Sequence, residues 1–237
     1  MSNIEALILD AVNKTKNERV IFEAFGTPGA GKSYFCNQLK NKISEKNSSL
    51  EFHFIDNYHQ NRLLRLASKL IVILRSSWHR SDIYTLAFKF VSEFDDLTFL
   101  TRIKLIFNFM LVFSVVSLSS KKDRLILLDQ GLFQGLWSCF FAKNILITAN
   151  KLNILKSLTF KLIDAFDIEL LVVIYVSASK EKVINGLQTR KIKGSSKLNT
   201  LNITEIEKGI RTTLFMLDFI NDIVATHPKV KLIEAPR

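Results

Sequence analysis

Residues 26–33 read Gly-Thr-Pro-Gly-Ala-Gly-Lys-Ser and fill the spacing G-x-x-x-x-G-K-[ST] at every fixed position. The pattern has a physical cause. Successive backbone N–H groups must point into one concavity to hold phosphate oxygens. Glycine takes the required backbone angles and lets a phosphate come close. Three of the eight glycines in the chain fall inside this run. A helix that opens directly after the loop adds its positive end to the same anion. The flanks fit: Val20–Phe25 is a β-rich run and Lys32–Glu45 has helical character. This predicts a phosphate-binding loop formed by Gly26, Thr27, Pro28, Gly29, Ala30, Gly31, Lys32, Ser33 and Tyr34. Lys32 can reach the β- and γ-phosphates, and the Ser33 hydroxyl can ligate Mg²⁺.

Around the loop, five apolar runs read as strands: Val20–Phe25, Leu50–Ile55, Arg124–Asp129, Leu170–Val176 and Lys229–Glu234. Long helical stretches separate them, which predicts right-handed crossovers and a five-stranded parallel sheet. The fold class is α/β, a three-layer arrangement with helices on both faces of the sheet. Residues 57–123 are too many for one crossover and read as three helices near 60–76, 82–94 and 98–118, a helical insertion between strands two and three. Such an insertion can cover an acceptor site. Ser179 is placed to cap a helix to about Arg190, and residues 190–202 read as a lid loop hinged at Gly194. Thr204 with Glu207 forms a capping-box pattern that opens a helix to about Ala225. Ile206, Ile210, Leu214 and Leu217 are expected on its buried side. The whole chain, 1–237, reads as one domain.

Other residues become candidates through their placement. Asp129 closes the run Leu-Ile-Leu-Leu-Asp, beside the loop in this architecture, where it can hold Mg²⁺ or take a proton from an acceptor hydroxyl. Asp56 follows the second predicted strand, on the edge where ligands bind parallel α/β sheets, and competes for the same role of base. Arg190 can neutralise charge on a transferring phosphoryl group. Arg62, Arg65 and Lys69 share one helix face, opposite Leu63, Leu66, Leu70 and Leu74. That face suits either solvent or an anionic acceptor.

The net charge of +11 favours an anionic partner without selecting one. No aromatic-basic recognition motif accompanies it, which argues against nucleic acid. Cys36 and Cys139 stand far apart and read as reduced thiols. Met1–Asp10 has neither the basic start nor the apolar centre of a signal peptide. With the cysteines, this gives the expectation of a cytoplasmic protein. Leu105–Leu118 is the longest apolar stretch at about 14 residues, short of the roughly 20 that span a bilayer, so no membrane span is expected.

Together, Gly26–Ser33, Asp56, Asp129 and Arg190 resemble the nucleoside and nucleotide kinase group of P-loop proteins, thymidylate-kinase-like in layout. The resemblance runs over about residues 18–237, and Val172–Arg190 looks like that group's fourth strand and lid-leading helix. Gln130 stands where thymidylate kinases carry Arg, and Phe25 where deoxynucleoside kinases often carry Glu. The resemblance implies ATP and Mg²⁺ as cofactors and a γ-phosphoryl transfer to a hydroxyl or phosphate of a small acceptor, with nucleosides and nucleotides among the candidates. Lys32, Asp129, Asp56 and Arg190 would be catalytic, and Ser33 with Asp129 would hold the metal. The acceptor's identity, ATP against GTP, and a homodimer against a monomer stay open. The alternative is a P-loop NTPase acting as a regulatory switch, against which Gln130 supplies no acid to activate water after Asp129.

Overall fold

Val20–Phe25 is buried at every residue, as is Leu125–Leu128, the signature of strands covered on both faces. The structure, a computed structural model, describes residues 19–46, 62–77, 81–119, 125–143, 147–193 and 201–235. In chain order these give β1 (Val20–Phe25), α1 (Lys32–Lys46), α2 (Arg62–Ser77), α3 (Ser81–Ser92), α4 (Phe99–Leu118) and β2 (Leu125–Leu128). There follow α5 (Leu132–Ala142), α6 (Ala149–Asp164), β3 (Leu170–Tyr175), α7 (Lys180–Lys193), α8 (Ile203–Thr226) and β4 (Val230–Glu234).

The sheet is parallel throughout, in the order β2-β1-β3-β4. It is four-stranded among the described residues where five strands are expected from the sequence. The strand expected at Leu50–Ile55 lies outside those residues, as does Asp56. Alternation along β1 splits the core in two. Val20, Phe22 and Ala24 pack with Phe35, Cys36, Leu39 and Ile43 of α1. Ile21 and Phe25 face the opposite way, onto a larger core that includes Phe133 and Trp137 of α5 and Met216 and Phe219 of α8. Helices therefore cover both faces, as the three-layer reading requires.

The insertion after α1 contains the three expected helices. Phe90 of α3 meets Phe109 of α4 with ring centroids 5.8 Å apart. Ser76 of α2 donates to Ser114 of α4 at 2.6 Å. That buried polar contact lies on the inward side of α2. Ile73 and Ser76 are buried, while Leu70 and Leu74 are exposed at 44 % and 69 %. Leu70 and Leu74 thus face out, and the inward side of α2 carries Ile73 with the cluster of Ser76, Tyr84 and Ser114 hydroxyls. Lys69 is half-buried, and the side chains of Arg62, Arg65, Leu63 and Leu66 lie outside the described set.

α4 has 20 residues and is long and apolar enough to cross a membrane by length and composition. Here Leu105, Phe109, Leu111, Val112, Phe113 and Val116 are buried in the core.

Two further expectations shift. The capping box of α8 is Asn202 with Glu205, not Thr204 with Glu207. Ile206 is buried as expected and Ile210 and Leu217 are half-buried, but Leu214 is 55 % exposed, and Met216, Phe219, Ile220 and Ile223 carry the rest of the buried face. Ser179 does cap α7, accepting from the Lys182 amide at 3.2 Å, but the helix runs on to Lys193. Arg190 thus sits within its last turn rather than opening a loop. Gly194–Thr200 lie outside the described residues.

Candidate active site

β1 is an inner strand, with β2 on one side and β3 on the other, so the chain leaves its C-terminal end where the connections diverge. Ligands of open α/β sheets bind at such a point. The loop expected to bind phosphate, Gly26–Ser33, lies there. Gly29 and Gly31 both have φ of 94°, in the region that disfavours side chains. Among the described residues, no atom beyond its own chain neighbours lies within 4 Å of where a Gly31 Cβ would stand. The loop is tightened by the Ala30 amide, which donates to the Thr27 carbonyl at 3.0 Å. α1 starts at Lys32, so its positive end faces the same concavity.

Lys32 folds across the loop. Its Nζ donates to the Gly26 carbonyl at 2.7 Å and to the Thr27 carbonyl at 3.2 Å, and the side chain is buried. The ammonium is thereby kept at the loop, where a polyphosphate would need a counter-charge. Ser33, on the first turn of α1, donates to Oδ2 of Asp129 at 3.4 Å. Asp129 follows directly on β2 and is 3 % exposed. A hydroxyl and a carboxylate at this spacing form a hard oxygen pair that suits Mg²⁺, which usually takes one or two carboxylates and its remaining ligands from phosphates and water.

Burial raises the Cys36 thiol to about 12, with the Asp129 charge adding and Lys32 opposing. Cys36 is therefore a neutral packing residue beneath the site. Both cysteines are free and buried, as reduced thiols should be.

Thr27 points away from the concavity. Trp137 Nε1–H of α5 donates to Thr213 Oγ1 at 3.0 Å, and Thr213 in turn donates to the Gly209 carbonyl at 3.0 Å. With the Thr213 proton so committed, the 3.0 Å contact between Thr27 and Thr213 is a donation from Thr27. The loop is thus tied to α5 and α8 through hydroxyls. On its other side it meets α7 directly. A Cβ added at Gly186 would stand 2.3 Å from the Gly29 carbonyl oxygen.

The structure brings Gly26–Ser33 and Asp129 together. The Tyr34 side chain is 69 % exposed on α1 and directed to solvent, so only its backbone belongs to the loop. Asp56 and the Arg190 side chain lie outside the described set.

One acidic residue beside the site escapes the sequence reading. Glu23, mid-strand in β1, is completely buried, and its Oε1 accepts from the Gln134 amide at 2.7 Å. Desolvation pushes its carboxyl up to about 7, against the lowering effect of the amides of Gln134, Phe133, Leu132 and Gly131. Its other oxygen, Oε2, and the Gln134 Oε1 are buried without a hydrogen-bond partner. The signal for Glu23 was the break in pattern: an acid inside a strand otherwise apolar on both faces. Thr213 and Trp137 had no signal, since their link to Thr27 exists only once α5 and α8 have packed.

No protein-family model matches the chain, and no curated protein matches it. Among solved structures it is similar to a deoxyadenosine kinase from M. mycoides with bound dCTP. The match has a TM-score of 0.45 and 14 % identity, and covers 90 % of this chain and 89 % of that one. A likeness at this level decides neither the chemistry nor the acceptor.

Proposed function

We propose that this chain is a P-loop kinase that binds ATP with Mg²⁺ and passes the γ-phosphoryl group to a hydroxyl or phosphate of a small acceptor. The observation that carries the reading is the approach of Ser33 to Asp129 at the mouth of a loop already curled around Lys32. Loop amides and the α1 N-terminus would hold the phosphates, and Lys32 would balance their charge. Bound Mg²⁺ would supply electrophilic neutralisation of the β- and γ-oxygens, held by Ser33 and Asp129. If Asp129 is committed to the metal, Asp56 becomes the candidate to accept the acceptor's proton, with Arg190 as the cation that closes on the phosphoryl group. The helices α2–α4 are the expected cover of the acceptor.

The test is a thermal-shift screen of acceptors in the presence of a non-hydrolysable ATP analogue and Mg²⁺. Ligands that bind the folded state raise its stability by mass action, about 2.7 kcal/mol at a hundredfold excess over Kd. A stabilising acceptor that then consumes ATP stoichiometrically supports the kinase. Steady hydrolysis with every acceptor inert, stimulated by a protein, supports the regulatory NTPase instead.

A further inference from the structure

The first four N–H groups of a helix have no partner within it and must find one elsewhere. At α5 the N-cap is Gly131, which supplies no side-chain acceptor. The acceptor comes from another element, 111 residues away in sequence: Glu23 of β1 takes the Gln134 amide at 2.7 Å. The amides of Gly131, Leu132 and Phe133 also bear on the same carboxylate. The fit is close, for a Cβ on Gly131 would stand 2.5 Å from Glu23 Oε2. Gly131 has φ of −119°, ordinary extended backbone, so its lack of a side chain is a matter of space for Glu23 and not of backbone conformation.

Only Asp129 and Gln130 separate the end of β2 from this gripped turn. The direction in which the Asp129 carboxylate leaves the sheet depends on where Gly131 is held. We propose that Glu23 is a positioning residue for the metal: by fixing the amides of 131–134 it aims Asp129 at Ser33. The assignment rests on the kinase reading above. A buried group that orients a metal ligand from behind typically contributes 10–100-fold in metal affinity.

Glu23→Gln is the informative change because it keeps shape and one acceptor oxygen. Its amide nitrogen takes the place of Oε2 beside Gly131, so the negative charge that draws in the amides of 131–133 is lost and their hold on the turn loosens. The measurement is calorimetric titration of the full chain with ATP, with and without Mg²⁺, at pH 8. Thermal melting confirms folding of each variant. Metal-free ATP affinity, set by the loop and Lys32, should be the same in wild type and E23Q. The gain in affinity on adding Mg²⁺ should fall about tenfold in E23Q. Gly131→Ala, whose methyl would displace the carboxylate, should show the same selective loss. A purely structural role would lower the melting temperature and leave the Mg²⁺ gain intact. An undiminished gain in either folded variant overturns the role of Glu23, as does failure of both to fold. Wild type that binds no ATP in either condition refutes the kinase reading, and this assignment with it.

Discussion

Two helix N-termini end at the same edge of the sheet and treat their positive ends in opposite ways. At α1 the loop 26–33 leaves open space where a Gly31 Cβ would stand, apart from its chain neighbours and among the described residues, and the charges close by are Lys32 and Asp129. At α5 the corresponding amides are filled by the chain's own carboxylate, Glu23, with Gly131 cut back to make room. The α5 turn already holds an anion, and by the same physics the α1 loop is the place proposed for one. The difference teaches that an anion site is defined by what is withheld from it. β1 carries both solutions, sending its C-terminal end into the open cradle and a side chain into the closed one.

The comparison can be broken most sharply at Lys32. Lys32→Ala removes the only cation seen to bond the loop carbonyls among the described residues, and phosphoryl transfer should fall by about 10²–10³-fold with the fold retained. Turnover against a validated acceptor, alongside a thermal melt, checks this. Undiminished turnover would mean that the open cradle is not where phosphate is handled.

The filled cradle is tested next, through pH. Glu23 moves from 4.5 to about 7 on folding, so the folded chain keeps this proton in a range where the unfolded chain has released it. The unfolded state then binds fewer protons, and stability falls as pH rises from about 4.5 to 7. The shift is equivalent to about 3 kcal/mol, fully lost above that window. Glu23→Gln has no such titration. The stability difference between wild type and variant, from urea melts at pH 4 and pH 8, should change by about that amount. A constant difference would mean that the carboxyl is not held in the dry site described here.

The smallest effect is expected at the link between the open cradle and the rest of the core. Thr213→Val leaves Trp137 Nε1–H and the Thr27 hydroxyl without their shared acceptor. That should cost about 1–3 kcal/mol in unfolding free energy, together with a modest loss of nucleotide affinity from a less rigid loop. Equal melting temperatures for the two proteins would remove the hydroxyl chain from the account of loop rigidity.

The open cradle was legible in the amino-acid order because all its parts are local: strand, glycines, lysine and serine within a dozen or so residues. The strands of the described sheet were legible for a similar reason, as buried apolar runs. Helix faces were harder. α2 and α8 carry apolar residues on more than one side, and the side that packs inward meets partners distant in sequence, such as Ser114 for Ser76. For the cap of α8, Asn202 with Glu205 and Thr204 with Glu207 overlap as patterns, and the earlier pair forms. Glu23 could be noticed as an oddity in β1, but its partner amides lie beyond a whole helical insertion and another strand.

The contact of Gly186 with Gly29 has a mechanical consequence. Main chain bears on main chain there, without a side chain between them that could change rotamer and absorb a displacement. α7 and the loop behave at that point as a shaft in its bearing: a sideways slip of the helix is delivered to the Gly29 peptide undamped. Whatever tugs on the far end of that helix is therefore felt where the polyphosphate would rest.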